Sequence, residues 1–346
     1  MMSRMEELLK QKKDIIAAIE AEYKKGLEAA AQGQAEAQYN LGVMYQHGQG
    51  VAQNYAEAAR CYKLAATQGS AAAQLNLGIM HENGQGVTQD DAEALRWYKL
   101  GATQGHAPAE YHMGIMYHIG KGVKQDYHEA DRCYRLAAAQ GHSGANYSIG
   151  YMYENHLGVE KDNAEAARWY KLAAAQGHAD AHVKLGAIYE SGDGVKQDYA
   201  EAMRWYKFVA EKGNANAQYR IGVMYEQGEG VAEDYPGAVH WYKLAAAQGS
   251  PDAQSRMGFM YQNGKGVGRN YPEAMRWYKL AAAQGNPAAL SNLGFMYHQG
   301  QGVEADDVQA VRWYTQAAKK GDASAAKNLE SIEAVLAAQE VEKHKE

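Results

Sequence analysis

The feature that most constrains this chain is a repeat of 36 residues. The segment Tyr170–Gly177, YKLAAAQG, recurs unchanged at Tyr242–Gly249 and Tyr278–Gly285. Alignment on this segment yields eight repeats without an insertion or deletion: 35–70, 71–106, 107–142, 143–178, 179–214, 215–250, 251–286 and 287–322. A period of this size is typical of arrays in which each repeat buries its apolar side only against its neighbours. The sequence therefore predicts one continuous array.

The first half of each repeat has the pattern of an α-helix. In the first repeat, Ala37, Leu41, Met44 and Tyr45 are spaced i, i+4, i+7 and i+8, which places them on one helical face. Gly42 lies inside this helix, where glycine costs about 1 kcal/mol relative to alanine. Because glycine recurs here in every repeat, we expect a close approach of the partner helix, packed against Ala58 and its equivalents.

The second half of each repeat predicts another helix. Gly48 and Gly50 favour a left-handed turn that ends the first helix. Asn54 followed by Glu57 has the arrangement of a capping box, and Gly69 is a typical residue just beyond a helix end. Each repeat is therefore predicted to be a helix–turn–helix unit, and the fold class is an all-α solenoid.

The two ends of the array have the patterns of capping helices. Residues 23–34 resemble a lone second helix, so residues 1–34 are predicted to form an N-terminal helix and cap. Residues 323–346 are predicted to form a C-terminal capping helix and tail, since Ala325 and Leu329 keep the first-helix pattern. Glu330 and Glu333 replace the buried glycine and the tyrosine of that pattern. A terminal repeat needs such a polar outer face.

Composition narrows the possible partners and locations. The net charge is −6 and no run of Lys or Arg occurs, which disfavours binding to a nucleic acid backbone, including modular RNA binding. The sequence has no signal-peptide pattern and no long apolar segment, so we expect a cytoplasmic protein without membrane insertion. Cys61 and Cys133 occupy the same place in two repeats, and we expect both to be small buried residues rather than a disulfide.

The repeat resembles a known family. The pattern L-G-x-M-Y-x-x-G-x-G-V-x-x-D-Y-x-x-A-x-x-W-Y-x-x-A-A-x-x-G is similar to the Sel-1-like repeat, a relative of the tetratricopeptide repeat. The resemblance implies a right-handed superhelix whose concave surface is lined by first helices, and a role as adaptor or scaffold. Some bacterial relatives have a disulfide in each repeat, which this chain lacks. His156 replaces the first loop glycine of repeat four, so we expect a distorted turn there.

The same resemblance indicates where a partner would bind. In tetratricopeptide repeats, positions 2, 5, 9, 12 and 13 of the first helix face the groove, and positions 5, 9 and 12 form one stripe by helical spacing. On this stripe, the candidate partner-binding residues are Tyr111, Tyr147, Tyr151, Tyr219, Phe259, Phe295, Glu154, Glu190 and Glu226. Aromatic residues with polar neighbours are typical of binding hot spots, so we expect a peptide or protein with basic and hydrophobic anchors. In the alternative interpretation, position 9 packs partly between neighbouring first helices and position 12 is a solvated face.

Catalytic motifs are incomplete. Ser324-Ala-Ala-Lys327 matches the S-x-x-K of penicillin-recognising serine enzymes, and some cysteine-rich relatives have been described as β-lactamases. The S-D-N and K-T-G elements that such a site requires are absent. His178 and His182 are spaced i, i+4 but have no third metal ligand at a fixed spacing. We therefore predict a protein that is not an enzyme and has no catalytic residue, metal or cofactor, with a serine hydrolase of β-lactamase type as the alternative.

Overall fold

A computed structural model describes residues 2–343, with side chains described continuously from Tyr23 to Leu336. Over the described residues the chain forms eighteen α-helices and no strand. The helices are α1 Met2–Ala31, α2 Ala35–His47, α3 Tyr55–Thr67, α4 Ala71–Asn83, α5 Asp91–Thr103, α6 Ala107–Ile119, α7 Tyr127–Ala139, α8 Ser143–Asn155, α9 Asn163–Ala175, α10 Ala179–Ser191, α11 Tyr199–Ala210, α12 Ala215–Gln227, α13 Tyr235–Ala247, α14 Pro251–Asn263, α15 Tyr271–Ala283, α16 Pro287–His298, α17 Asp307–Lys319 and α18 Ala323–Lys343.

The chain divides into two compact units. Unit 1 is Met1–His178 and unit 2 is Ala179–Glu346, so that each contains four of the 36-residue repeats. Within each unit, the two helices of a repeat pack together as a hairpin, and each second helix also packs on the first helix of the next repeat. The predicted all-α solenoid of helix–turn–helix repeats is confirmed. None of the described helices combines the length and the apolar character needed to cross a membrane.

The start of the second helix is capped as predicted, but the capping box does not form. The Asn54 side-chain oxygen accepts hydrogen bonds from the backbone N–H groups of Ala56 and Glu57, both at 3.1 Å. The Asn54 N–H donates to the carbonyl of Tyr45 at 2.9 Å, and Glu57 instead pairs with Arg60 at 2.9 Å. The hairpin itself brings a first-helix carbonyl within reach, so the glutamate is not needed to satisfy the cap.

The turn between the helices depends on a left-handed residue. Gly48 has φ of +68°, and its N–H donates to the carbonyl of Met44. His156 takes the same left-handed conformation at φ +57°, and its N–H donates to Met152 in the same way. The expected distortion of this turn is therefore wrong. The repeat keeps its geometry and places a non-glycine residue in a conformation that side chains disfavour.

The buried glycine of the first helix faces a tyrosine rather than an alanine. A Cβ atom built on Gly42 would lie 2.6 Å from a ring carbon of Tyr62, and one on Gly222 would lie 2.5 Å from the Tyr242 ring. The expected contact with Ala58 and its equivalents is thus only secondary. The tyrosine at this place in the second helix, position 28 of the repeat, is buried in all eight repeats. Glycine is required because the ring lies against the helix backbone.

Two further contacts join one repeat to the next. The Gln74 side chain donates to the carbonyl of Ala66 in the preceding repeat at 3.0 Å and accepts from Gln104 of its own repeat at 2.8 Å. Trp97, which is 4% exposed, completes the apolar cluster formed by the preceding second helix and its own first helix. Cys61 and Cys133 stand at the tryptophan position in their repeats, and both are buried and free, as predicted.

Candidate partner-binding surface

We use the name first-helix face for positions 5, 9 and 12 of the first helices, taken separately in each unit. All nine candidate residues from the sequence lie on α6, α8, α10, α12, α14 or α16. Most of the aromatic members are half-buried, but Tyr151 in unit 1 and Phe295 in unit 2 are 37% and 40% exposed. Large apolar rings are thus accessible to solvent on both units.

In unit 1, histidines hold two of the three position 5 tyrosines in place, Tyr111 and Tyr147. The Tyr111 ring lies 4.4 Å from the His142 ring, and the Tyr147 ring stacks on His178 at 4.5 Å. On its other side, the Tyr111 ring contacts the buried Tyr134 ring at 5.7 Å between centroids. Each tyrosine is therefore fixed between a histidine of the inter-repeat link and a core ring, and its orientation is set before any partner arrives.

In unit 2, the corresponding rings pack mainly on the apolar core. The Tyr219 ring lies 5.8 Å from the buried Tyr242 ring. Phe259 packs against the apolar clusters of two successive repeats, with the Lys265 ammonium 5.6 Å from its centroid. Position 9 therefore packs partly between repeats, as the alternative interpretation predicts, although Phe295 keeps an open ring face.

The three candidate glutamates accept hydrogen bonds from buried tyrosines. Tyr170 donates to Glu154, while Tyr206 donates to Glu190 and Tyr242 to Glu226, both at 2.6 Å. Position 12 is therefore not a solvated face, because each carboxylate is an internal acceptor. Burial, followed by the bond to the carboxylate, raises the pKa of the Tyr206 and Tyr242 hydroxyls, which remain donors.

Two of these glutamates also have a basic neighbour from the next repeat. Arg220 lies 3.4 Å from Glu190, and Arg256 lies 3.5 Å from Glu226. The Glu226 side chain is only 12% exposed. The negative charge that the sequence places on this stripe is thus largely balanced within unit 2, and a basic group of a partner would have to share these carboxylates with arginine.

The tyrosine–glutamate bond was missed by reasoning from the sequence. Its two residues are 16 positions apart, and the signal is that position 12 is Glu or Gln in six repeats while position 28 is always Tyr. In the other two repeats position 12 is histidine, and there the contact changes. His118 lies 6.2 Å from the Tyr134 ring between centroids, and His298 bonds to Asp307 at 2.6 Å.

Unit 1 also has partly buried histidines on and beside this face. Burial lowers the pKa of His106, His112, His118 and His142. The His142 Nδ1 atom accepts a hydrogen bond from the backbone N–H of Ala145 at 3.2 Å, which requires this nitrogen to be unprotonated. The histidines are therefore neutral at neutral pH, and the surface around Tyr111 is aromatic rather than cationic.

The remaining sequence candidates lie on α18 and on either side of the boundary between the units. Ser324 and Lys327 lie in the first two turns of α18, both exposed, and neither side chain has a hydrogen-bond partner in the described part of the chain. His178 belongs to unit 1, whereas His182 lies in unit 2 and stacks on Phe208 at 4.3 Å. Among the described residues there is no group of three or more His, Cys, Asp or Glu side chains that could hold a metal ion.

Comparison with known proteins identifies the repeat. The Sel1 repeat model matches eight segments, residues 35–70, 71–106, 107–142, 143–178, 179–214, 215–250, 251–286 and 287–322. The crystal structure of c5321, a protective antigen of uropathogenic Escherichia coli displaying an SLR fold, is 36% identical over 90% of this chain and 67% of that one, with a TM-score of 0.85. A Sel1 repeat protein from Oxalobacter formigenes is 32% identical over 89% of each chain, with a TM-score of 0.67. No match was found among curated proteins. On the eight repeats and these two structures, the chain belongs to the Sel1 repeat family.

Proposed function

We propose that this chain is a scaffold that binds a peptide or protein through the first-helix faces of its two units. Sel1 repeat proteins are generally protein–protein interaction scaffolds, and all-helical arrays of this kind are typically not enzymes. The observation that carries the proposal is the exposure of Tyr151 and Phe295, at 37% and 40%, on faces that also carry packed aromatic side chains such as Tyr111 and Tyr219. A cytoplasmic location stays a prediction from the sequence.

The order of the aromatic side chains favours binding. A tyrosine that is already held between two rings, as Tyr111 is, loses little side-chain entropy when a partner covers it. Tyrosine also combines a large apolar area with a hydroxyl that can reach a polar group of the partner. For these reasons, we infer that the aromatic residues supply most of the affinity on each face.

The charges on the face define a second property of the partner. The carboxylates of Glu154, Glu190 and Glu226 already accept hydrogen bonds from tyrosines. A basic side chain of the partner therefore gains only the free energy by which its own contact with the carboxylate exceeds the existing contacts. Basic groups are therefore expected to orient the partner and to speed its association more than to raise the affinity. The proposed partner carries hydrophobic or aromatic anchors, with basic residues beside them.

The test begins with selection of peptides from a display library on the purified full chain, followed by calorimetric titration of the selected peptides. We expect Tyr151→Ala and Phe295→Ala each to weaken binding about tenfold or more when the peptide covers that unit, as for a hot-spot residue. The matched controls are Leu172→Ala and Leu280→Ala, because these second-helix leucines are also exposed, at 51% and 42%. Binding that is lost in the leucine variants and kept in the aromatic variants would place the site on the second helices instead.

A further inference from the structure

The N-terminal end of unit 1 contains an open apolar cleft. It has a volume of about 830 Å³ and lies between α1 and α2, where Lys25, Gly26, Ala37 and Met44 are among the lining residues. The residues equivalent to Ala37 and Met44 in the later repeats of unit 1 are all 0% exposed: Ala73, Ala109, Ala145, Met80, Met116 and Met152. Ala37 and Met44 themselves are only half-buried. The first repeat therefore lacks a covering that the other repeats of this unit have.

The end of α1 occupies the place of a second helix. Residues 29–33 of α1 and the turn after it align with residues 65–69, and Gln38 donates to the carbonyl of Ala30 at 3.2 Å, as Gln74 does to Ala66 at 3.0 Å. However, α1 runs without interruption from Met2 to Ala31. Within the described residues, the chain thus provides this second helix without an antiparallel first helix beside it.

The other end of the chain has the opposite arrangement. Helix α18 follows the first-helix pattern, with Ala325 at 0% and Ile332 at 5% exposure against α17 and its neighbours. No second helix follows α18 within the described residues. Glu330 and Glu333, on the side where a second helix would pack, are exposed. Among residues 2–343, α1 therefore has no first helix packed against it in a hairpin, and α18 has no second helix.

We propose that α18 of one copy docks beside α1 of a second copy, so that the two helices form a composite hairpin and the protein associates head to tail. This pairing gives each unpartnered helix the neighbour that the same helix has inside the array. Because the two contacting surfaces differ, the contact leaves a free surface at each end of every assembly. Oligomers of increasing length are therefore expected as the concentration rises.

The side-chain sizes and charges of α1 and α18 support α18 as the occupant of the cleft. In repeat three, a Cβ atom on Gly114 would lie 2.6 Å from the Tyr134 ring and 3.3 Å from Cβ of Cys133. By repeat register, the residue at the glycine place in α18 is Glu330, while α1 has Gly26 at the tyrosine place and Lys25 at the cysteine place. Helix α18 thus has a glutamate where the first helices of the eight repeats have glycine. Helix α1 lacks the tyrosine ring that would clash with this glutamate.

The charges in this composite hairpin are complementary. With Glu330 over Gly26, its carboxylate occupies space that a tyrosine ring fills in the other repeats, and Lys25 stands next to it with the opposite charge. An ion pair that is partly removed from water is favourable only when both partners are present, so it also selects the correct register. The open cleft beside Gly26 and Met44 is thus accounted for by one occupant, α18 of a second copy.

The experiment measures the mass of the full-length chain by sedimentation equilibrium as its concentration is raised. The wild type is expected to show reversible, concentration-dependent association, and Lys25→Glu and Glu330→Lys are each expected to weaken it about tenfold or more. The double variant Lys25→Glu/Glu330→Lys restores the pair with reversed charges and is expected to recover most of the association. Lys24→Glu and Ser331→Lys, which change the charge of exposed residues next to the pair, are the matched controls and leave association unchanged.

A further variant separates association from folding. Gly26→Tyr returns the usual ring to α1, so it covers Met44 within its own chain, raises the thermal stability of unit 1 and blocks association. A wild type that remains monomeric up to about 1 mM, the weak limit of specific association, would overturn the proposal. So would a double charge reversal that fails to recover association while circular dichroism shows unchanged helix content, or single reversals that leave association intact.

Discussion

The first-helix faces of the two units are built on the same hairpins but balance their polar groups differently. In unit 1, the rings of His118 and His142 lie against tyrosines, and burial keeps both histidines neutral at neutral pH. In unit 2, the carboxylate of Glu190 accepts from Tyr206 and pairs with Arg220, and Glu226 is bound in the same manner. Unit 1 has carboxylate pairs of the same kind, such as Glu82 with Tyr98 and Lys121, so the difference is that only unit 1 adds partly buried, neutral histidines to them.

This difference shows which part of the repeat is constant. The tyrosine at position 28 is buried in both units, and a buried hydroxyl requires a hydrogen-bond partner. The side chains that surround its oxygen can vary, because Glu, Gln and His all fit at position 12. The fold is therefore shared, while the response to pH is expected to differ between the units and the response to loss of the hydroxyl between individual repeats.

The largest expected effect comes from changes at the contact between the first-helix glycine and the second-helix tyrosine, which both units share. Gly114→Ala and Gly222→Ala each place a Cβ atom within 2.6 Å of a tyrosine ring carbon. We expect each change to lower the local free energy of opening by about 3 kcal/mol, since overpacking of a closed core forces backbone shifts. Hydrogen exchange measured by mass spectrometry reports this for each unit separately. Gly268→Ala is the control, because its Cβ would meet nothing within 4 Å. A loss in only one unit would contradict the common core.

Removal of the tyrosine hydroxyl should distinguish repeats with a glutamate at position 12 from a repeat with histidine there. Tyr242→Phe leaves the Glu226 carboxylate without its 2.6 Å donor, and a hydrogen bond to a charged group is worth about 1.5–3 kcal/mol. The Tyr134 hydroxyl has the neutral side chain of Ser148 as its hydrogen-bond partner in place of a glutamate, so Tyr134→Phe should cost about 1 kcal/mol. Local opening free energies from hydrogen exchange measure both. Equal losses would show that the carboxylate has no special role.

A smaller effect is expected from acid. The pKa values of His106, His112, His118 and His142 are lowered in the folded state by burial, although the Glu82 charge opposes this at His112. The folded state therefore binds fewer protons than the unfolded chain. Unit 1 therefore keeps its full stability above the ordinary histidine pKa of about 6.5. As the pH falls from there through the folded-state pKa of a histidine, the free energy of unfolding decreases by about 1.4 kcal/mol for each pH unit by which that pKa is lowered.

A substitution at the N-terminal cap of α8 tests whether His142 contributes to the loss of stability in acid. His142→Asn introduces the residue that caps the equivalent helix at Asn214 in unit 2, where the side chain accepts from Ala217 at 2.9 Å. Asparagine keeps the acceptor and removes the titration, so the variant should unfold less readily than the wild type at pH 5.5 and about equally at pH 7.5. The temperature of unfolding followed by circular dichroism measures this. An unchanged pH profile would exclude His142 as a contributor.

The smallest effect concerns the turn of repeat four. His156 has φ of +57°, whereas the corresponding Gly228 of unit 2 has φ of +70°. Because a left-handed conformation costs a side-chain-bearing residue about 1 kcal/mol more than glycine, His156→Gly should stabilise unit 1 by about that amount. Chemical denaturation is a suitable measurement. A destabilised variant would mean that the histidine ring makes a contact worth more than the strain.

Local features of the repeat were predictable from the sequence. Helix boundaries, the cap at Asn54 and the turn at Gly48 follow from rules that act over a few residues. The cap residue recurs in all eight repeats and the turn glycine in seven. The buried glycine was also recognised, but its neighbour was taken to be Ala58 and is mainly Tyr62. The direction of a long side chain across a helix interface depends on the crossing geometry, which spacing within one helix does not contain.

The candidate surface was predictable only in outline. Helical spacing was sufficient to place Tyr151 and Phe295 on first helices, where they are accessible to solvent. It did not show that Glu226 is an internal acceptor, because that bond joins residues 16 apart on two helices. A charged residue on a helix face is therefore open to a partner only if no neighbouring helix already satisfies it.

By itself, the sequence determined the number of hairpins, their register and the residues that end each helix, because a 36-residue period requires every repeat to meet the same local constraints. Only the tertiary structure decided which polar groups are satisfied inside the array, where the chain divides into two units, and where an apolar cleft stays open between α1 and α2. These properties depend on distances between helices that are remote in sequence. Burial and hydrogen bonding at such contacts are settled when the hairpins pack, not when they form.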